Sequence, residues 1–105
     1  MIKEIVDEFK DKLEDFKYIK SEDFEIEFDD RLEIAGTFLH RCYACNPSEK
    51  HLIKINSKYE GDDKKIEQII RHELIHLFVP GHGNKFKKWA KILNAPLKIS
   101  DSPVV

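Results

Sequence analysis

Residues typical of a metal site lie in one short run, His72-Glu73-Leu74-Ile75-His76. On a helix, positions i and i+4 lie one turn apart on the same face, so both imidazoles can point at one ion. The glutamate beside the first histidine is then close enough to hold the water that the ion activates. The pattern indicates a hydrolytic zinc site in which Glu73 is the catalytic general base.

A catalytic zinc site needs a third protein ligand, and His82 is the candidate. Downstream of Glu73 the chain contains no glutamate, and its only acidic residue is Asp101. Pro80 and the glycines on either side of His82 allow the backbone to turn back towards the ion. We therefore predict one Zn²⁺ ion with three ligands: His72, His76 and His82.

The run is predicted to lie in a buried central helix. Apolar residues surround it on almost every side: Ile66, Ile69, Ile70, Leu74, Ile75 and Leu77. Asp62 and Asp63 supply an N-cap candidate and negative charge at the helix start, and Pro80 stops the helix soon after His76. The two histidines, spaced i and i+4, are therefore predicted to lie on the same face of one helix.

The remaining segments predict a small α+β domain. Residues 2–19 carry apolar residues at helical spacing, and residues 84–94 predict a last helix with one apolar face. Alternation in residues 24–28 and 32–38 predicts a β-hairpin, and residues 51–56 predict a third strand. The expected fold is an N-terminal helix, a three-stranded mainly antiparallel sheet, the central helix and a C-terminal helix, a minimal zincin-like arrangement.

Length and composition indicate one globular domain. The 105 residues, 41% hydrophobic and 36% charged, suffice for a single core. We expect one domain over residues 1–105, with the metal core at about 62–94. No apolar run is long enough to span a membrane, and the N-terminus has no signal-like core. We therefore expect a cytoplasmic protein without membrane contact, and we assume a monomer.

Charge is distributed unevenly along the chain, although the net charge is only −2. Residues 1–49 hold 7 basic and 14 acidic side chains, whereas residues 50–105 hold 11 basic and 6 acidic ones. Three lysines of the last predicted helix fall opposite its apolar face: Lys87, Lys88 and Lys91. They are either a solvated face or a strip that contacts nucleic-acid phosphates.

Cys42 and Cys45 form a Cys-Tyr-Ala-Cys pair. In a cytosolic chain such a pair indicates reduced thiols, half of a second zinc site or a redox pair, and His40 and His51 are near enough in sequence to complete a site. On a regular strand the two thiols would point to opposite faces, which favours residues without a special role.

Together these residues resemble the SprT-like zinc metalloproteases, the group that includes Spartan, with the third-histidine spacing of the WLM family. The resemblance covers residues 31–94, and it rests on Ile53-Lys54-Ile55-Asn56, on the metal-binding run, and on Gly81-His82-Gly83-Asn84-Lys85-Phe86. It implies a compact α+β domain that cleaves proteins, with zinc on the three histidines, Glu73 as base, and DNA-associated substrates. Unlike for many members, we expect neither a C-terminal zinc ribbon nor a DNA-binding tail.

Other protein classes also use three histidines at a similar spacing. The metzincin pattern requires glycine where Val79 stands and a methionine turn, and the only methionine is Met1. Two alternatives remain open: a metal-dependent endoribonuclease that uses the same histidines, and a non-catalytic nucleic-acid-binding module stapled by zinc. For the residue that stabilises the oxyanion, Tyr43 and Tyr59 are candidates by type only.

Overall fold

The computed structural model describes residues 1–39 and 50–98, within which lie three α-helices and three β-strands. In chain order they are α1 (Ile2–Lys12), β1 (Phe24–Asp29), β2 (Gly36–Leu39), β3 (His51–Asn56), α2 (Asp63–Ile75) and α3 (Asn84–Ile92). The predicted α+β class is confirmed. The interpretation of Cys42 and Cys45 concerns residues outside the described ranges, as does the role suggested for Tyr43.

The N-terminal helix is shorter than the predicted 2–19. It ends at Lys12 because Leu13 adopts extended backbone angles, and a 3-10 turn (Glu14–Phe16) follows. Phe16 is nonetheless fully buried, with its ring 5.3 Å from that of Phe9 and 5.4 Å from that of Trp89. The apolar pattern therefore continues past the end of the helix, because the 3-10 turn places Phe16 in the same core as the apolar residues of α1.

The sheet has the order β1-β3-β2. β1 pairs with β3 in parallel and β2 pairs with β3 antiparallel, so the predicted hairpin is wrong and the sheet is mixed rather than mainly antiparallel. β3 takes the centre because it has apolar residues on both faces, and its consecutive Leu52 and Ile53 are both buried. Alternation within a strand shows which face is buried, but it carries no information about which strand lies alongside.

Asn56, at the end of β3, fastens the segment that links β1 to β2. Its Nδ2 donates to the carbonyls of Leu32 (2.9 Å) and Ile34 (3.1 Å), and its backbone N–H donates to Ala35 (2.8 Å). Its Oδ1 also accepts from the backbone N–H of Lys58. The side chain and the backbone N–H of Asn56 thus satisfy three carbonyls of the segment between β1 and β2.

Helix α2 lies against the sheet, α1 and α3, and it forms the centre of the core. As predicted, Asp62 caps its N-terminus, where the side chain accepts from the backbone N–H of Lys65. Gly36 allows β2 to approach this helix closely: a Cβ there would lie 2.5 Å from Cγ2 of Ile69 and 3.0 Å from the carbonyl of Lys54. No side chain larger than hydrogen fits at that crossing.

Helix α3 packs its apolar face on the core, as its sequence predicts, and its buried residues are Phe86, Trp89 and Ala90, followed by Leu93. It ends two residues before the predicted Asn94, which adopts a left-handed conformation with φ of 54°. The N–H of Ala95 then donates to the carbonyl of Ala90, which closes the helix in a Schellman-type turn. Among residues 1–39 and 50–98, every helix is too short or too polar to cross a bilayer.

Candidate metal centre

The three predicted ligand histidines converge on one point. His72 lies in α2, His76 follows as the C-terminal cap of that helix, and His82 lies in the loop before α3. Their Nε2 atoms are 3.1 Å apart between His72 and His82, 3.2 Å between His76 and His82, and 3.4 Å between His72 and His76. Helical spacing brings the first two together, and the turn through Pro80 and Gly81 brings the third.

Backbone carbonyls orient two of the imidazoles. Nδ1 of His72 lies 2.7 Å from the carbonyl oxygen of Pro96, and Nδ1 of His76 lies 3.0 Å from that of Val79. Because a carbonyl oxygen only accepts hydrogen bonds, each Nδ1 must carry the hydrogen and donate it. In the neutral ring each Nε2 then presents a lone pair to the common point, which is how ligand histidines are usually oriented.

Phe86 forms the base of the cluster. Its ring centroid lies 4.8 Å from those of His72 and His76 and 4.9 Å from that of His82, and its side chain is fully buried. The first turn of α3 therefore packs against all three imidazoles at once. This ring restricts the side-chain rotations by which the histidines could move apart.

A metal ion fits this donor set. Two Nε2 lone pairs cannot hydrogen-bond to each other, so the pair formed by His72 and His76 needs a shared electrophile. Tetrahedral Zn²⁺ with Zn–N bonds of about 2.05 Å separates its nitrogen ligands by about 3.3 Å, close to the observed 3.1–3.4 Å. Burial lowers the pKa of His72 to about 4, so the ring is neutral, as a ligand must be, at physiological pH.

Glu73 is buried beside the cluster without a hydrogen-bond partner. Its side chain is 0% exposed, and neither carboxylate oxygen bonds to any group among the described residues. Loss of solvation raises the pKa of this carboxyl to about 9. A divalent cation nearby would favour the ionised form and reverse that shift. An unsatisfied buried carboxylate is costly, so its position here indicates a functional role.

A pocket of about 260 Å³ opens beside these groups. The residues that line it are Thr37, Phe38, Glu73, His76, Pro80, Gly81 and His82. Two of them belong to β2, which lies at the edge of the sheet and pairs only with β3 among the described residues. An edge strand, two of the imidazoles and a carboxyl group without a hydrogen-bond partner among the described residues thus border the same pocket.

The structure brings the three predicted ligand histidines together and places Glu73 at the same pocket, and it adds supports that the sequence did not predict. The Pro96 carbonyl and the close approach at Gly36 have no local signature, because each depends on chain segments brought together by folding. The lysines predicted to oppose the apolar face of α3 are exposed, as expected: Lys87, Lys88 and Lys91. Tyr59, a candidate for oxyanion stabilisation, is buried in the core and does not line the pocket.

Comparison with protein-family models agrees with this geometry. A model described as the SprT-like family matches residues 1–103, which include all three histidines and Glu73. A search of curated proteins and a search of solved structures each returned no significant match. Because the family match extends over nearly the whole sequence and includes the entire metal centre, the chain belongs to the SprT-like family.

Proposed function

We propose that this protein is a zinc-dependent metalloendopeptidase. The observation that supports the proposal best is the Glu73 carboxylate, which is fully buried without a hydrogen-bond partner at a pocket bordered by two of the converging imidazoles. A structural metal site has no use for such a group, whereas hydrolysis needs a base at that place. His72, His76 and His82 would hold the ion and leave one position open.

The chemistry is divided between the ion and the protein. His72, His76 and His82 would hold a zinc ion, which when bound would supply a water of lowered pKa and a Lewis acid for the substrate carbonyl. Glu73 accepts the proton from the attacking water at a carboxylate oxygen and passes it to the nitrogen of the leaving amine. Because the Glu73 carboxyl is buried and its oxygens have no hydrogen-bond partner among the described residues, they are available to the reacting groups.

Strand β2 is the proposed docking site for the substrate. It is an edge strand, and Thr37 and Phe38 border the pocket that contains Glu73. An extended peptide can add to such an edge through backbone hydrogen bonds, which place a carbonyl near the ion irrespective of side chain. Phe38 supplies an apolar contact for one side chain of the peptide.

The test compares three variants on a disordered protein substrate. Glu73→Gln keeps the shape of the base and should retain zinc while cleavage falls by about 10²–10⁴-fold. His82→Ala should lose zinc, and Glu67→Gln, an exposed carboxylate on the same helix, is the control and should match wild type. Each assay is run with and without single-stranded DNA. Cleavage by Glu73→Gln at the wild-type rate would refute the mechanism.

Exposed lysines on α3 support a second part of the proposal, that the substrates are associated with nucleic acid. Lys87, Lys88 and Lys91 are exposed and form no salt bridge to a described residue, so they are available for phosphates. Replacing all three by Gln should lower the slope of log affinity against log salt by about 3 for DNA.

RNA cleavage that survives Glu73→Gln would instead indicate an endoribonuclease. DNA binding without any hydrolysis would indicate a zinc-stapled binding module.

A further inference from the structure

The turn that follows α3 is fastened to α2 at both ends. The carbonyl of Leu93 accepts from Nη1 of Arg71 at 2.8 Å, and the carbonyl of Pro96 accepts from Nδ1 of His72 at 2.7 Å. Between them Asn94 adopts its left-handed conformation. The two donors are neighbours in the chain, so one short segment of α2 determines where this turn lies. Arg71 and His72 therefore hold the two ends of this turn.

Arg71 is in turn held by the first helix. Its guanidinium forms a two-pronged pair with the Glu8 carboxylate, with Nη1–Oε2 at 2.7 Å and Nη2–Oε1 at 2.6 Å. The Arg71 side chain is only 10% exposed, and its Nη1 donates to Glu8 and to the Leu93 carbonyl together. A fork of this kind fixes both the place and the plane of the guanidinium. Without Glu8 the guanidinium loses the partner that orients it.

We propose that Glu8 and Arg71 are positioning residues for the metal ligand His72, acting through the turn at residues 93–96. Glu8 orients Arg71, Arg71 holds the Leu93 carbonyl, and the turn then presents the Pro96 carbonyl to Nδ1 of His72. This carbonyl keeps the hydrogen on Nδ1 and the lone pair on Nε2, which faces the other histidines. A carboxylate on α1 thereby influences metal affinity without touching the metal centre.

The inference rests on the metal-binding part of the proposed function, and its test uses readouts other than proteolysis. Zinc affinity is measured by chelator competition well below the unfolding temperature. The tautomer of His72 is read from the ¹⁵N shifts of its ring in metal-free protein. Glu8→Gln removes the charge that orients the guanidinium, and Arg71→Lys keeps a positive charge but lacks the fork. Both should weaken zinc affinity about tenfold and mix the two tautomers of His72.

Two control variants separate positioning from simpler effects. Glu67→Gln removes another carboxylate near Arg71, whose Nε lies 3.5 Å from Oε2 of Glu67, and so matches Glu8→Gln in charge. Val6→Ala removes buried volume from α1 without touching the ion pair, and so controls for lost stability. Both should bind zinc within twofold of wild type and keep the hydrogen on Nδ1 of His72.

Several results would overturn the inference. One is unchanged zinc affinity in Glu8→Gln and Arg71→Lys, and another is an equal loss of zinc affinity in either control variant. A third is weaker zinc binding by Glu8→Gln or Arg71→Lys while His72 keeps its wild-type tautomer, since that result would indicate a charge effect. If the wild-type protein binds no zinc, the proposed function fails, and the tautomer measurement alone decides whether Glu8 and Arg71 position His72.

Discussion

Gly36→Ala tests how tightly the sheet is packed against α2, the helix that carries His72 and Glu73. The new methyl would lie 2.5 Å from Cγ2 of Ile69 and 3.0 Å from the carbonyl oxygen of Lys54. Ordinary contacts between carbon atoms are about 3.5–4.0 Å, so the overlap with Ile69 is about 1 Å or more. Ile69 is fully buried, and the carbonyl oxygen of Lys54 belongs to the backbone of the central strand β3. Neither neighbour can therefore move freely.

The expected loss of stability follows from two opposing effects. Overpacking of a core costs about 1–3 kcal/mol, whereas replacing glycine restricts the unfolded chain and returns about 0.4–1 kcal/mol. The net change in the free energy of unfolding should therefore be a loss of about 1–2 kcal/mol. For a domain of this size, each kcal/mol lowers the melting temperature by about 4–8 °C.

The assay is a double-mutant cycle with Ile69→Ala, followed by urea unfolding. Ile69→Ala alone should cost about 2–5 kcal/mol, since it empties a buried site. In the double variant the methyl of residue 36 enters the vacated space, so the loss should be smaller than the sum of the single losses by about 1 kcal/mol. Wild-type stability of Gly36→Ala, or strict additivity in the cycle, would refute the packing argument.

Two further predictions concern the polar contacts that hold the fold together. Asn56→Ala should cost about 1–3 kcal/mol in urea unfolding, because the carbonyls of Leu32 and Ile34 lose their donor; Asn56→Asp should not rescue it, since a carboxylate cannot donate. The Arg71 guanidinium lowers the pKa of Glu8 to about 2, so this pair stabilises the fold fully above the ordinary pKa of 4.5 and progressively less as the pH falls towards 2. In acid-unfolding curves, Glu8→Gln should flatten that part of the pH dependence, and an unchanged curve would contradict the assignment.

What the sequence could predict was local. The i, i+4 spacing of His72 and His76 and the turn before His82 were sufficient to predict that the three histidines converge, because these relations are fixed within a few residues. Pairing of β1 with β3 could not be predicted, since residues 24 and 51 meet only through the tertiary fold. The same holds for the pair of Glu8 and Arg71, which lie 63 residues apart. Single-sequence patterns contain no signal for contacts of that separation.

The convergence of the three Nε2 atoms at 3.1–3.4 Å has a consequence for the abundance of the protein. The three imidazoles converge only in the folded chain, so an ion held by all three would stabilise the folded state over the unfolded one. If zinc binds the folded state alone, a free zinc concentration 1,000 times the Kd adds about 4.1 kcal/mol to a total that is typically 5–15 kcal/mol. On the proposed function, a shortage of zinc would then lower the amount of folded protein as well as its activity, because unfolded chains are degraded.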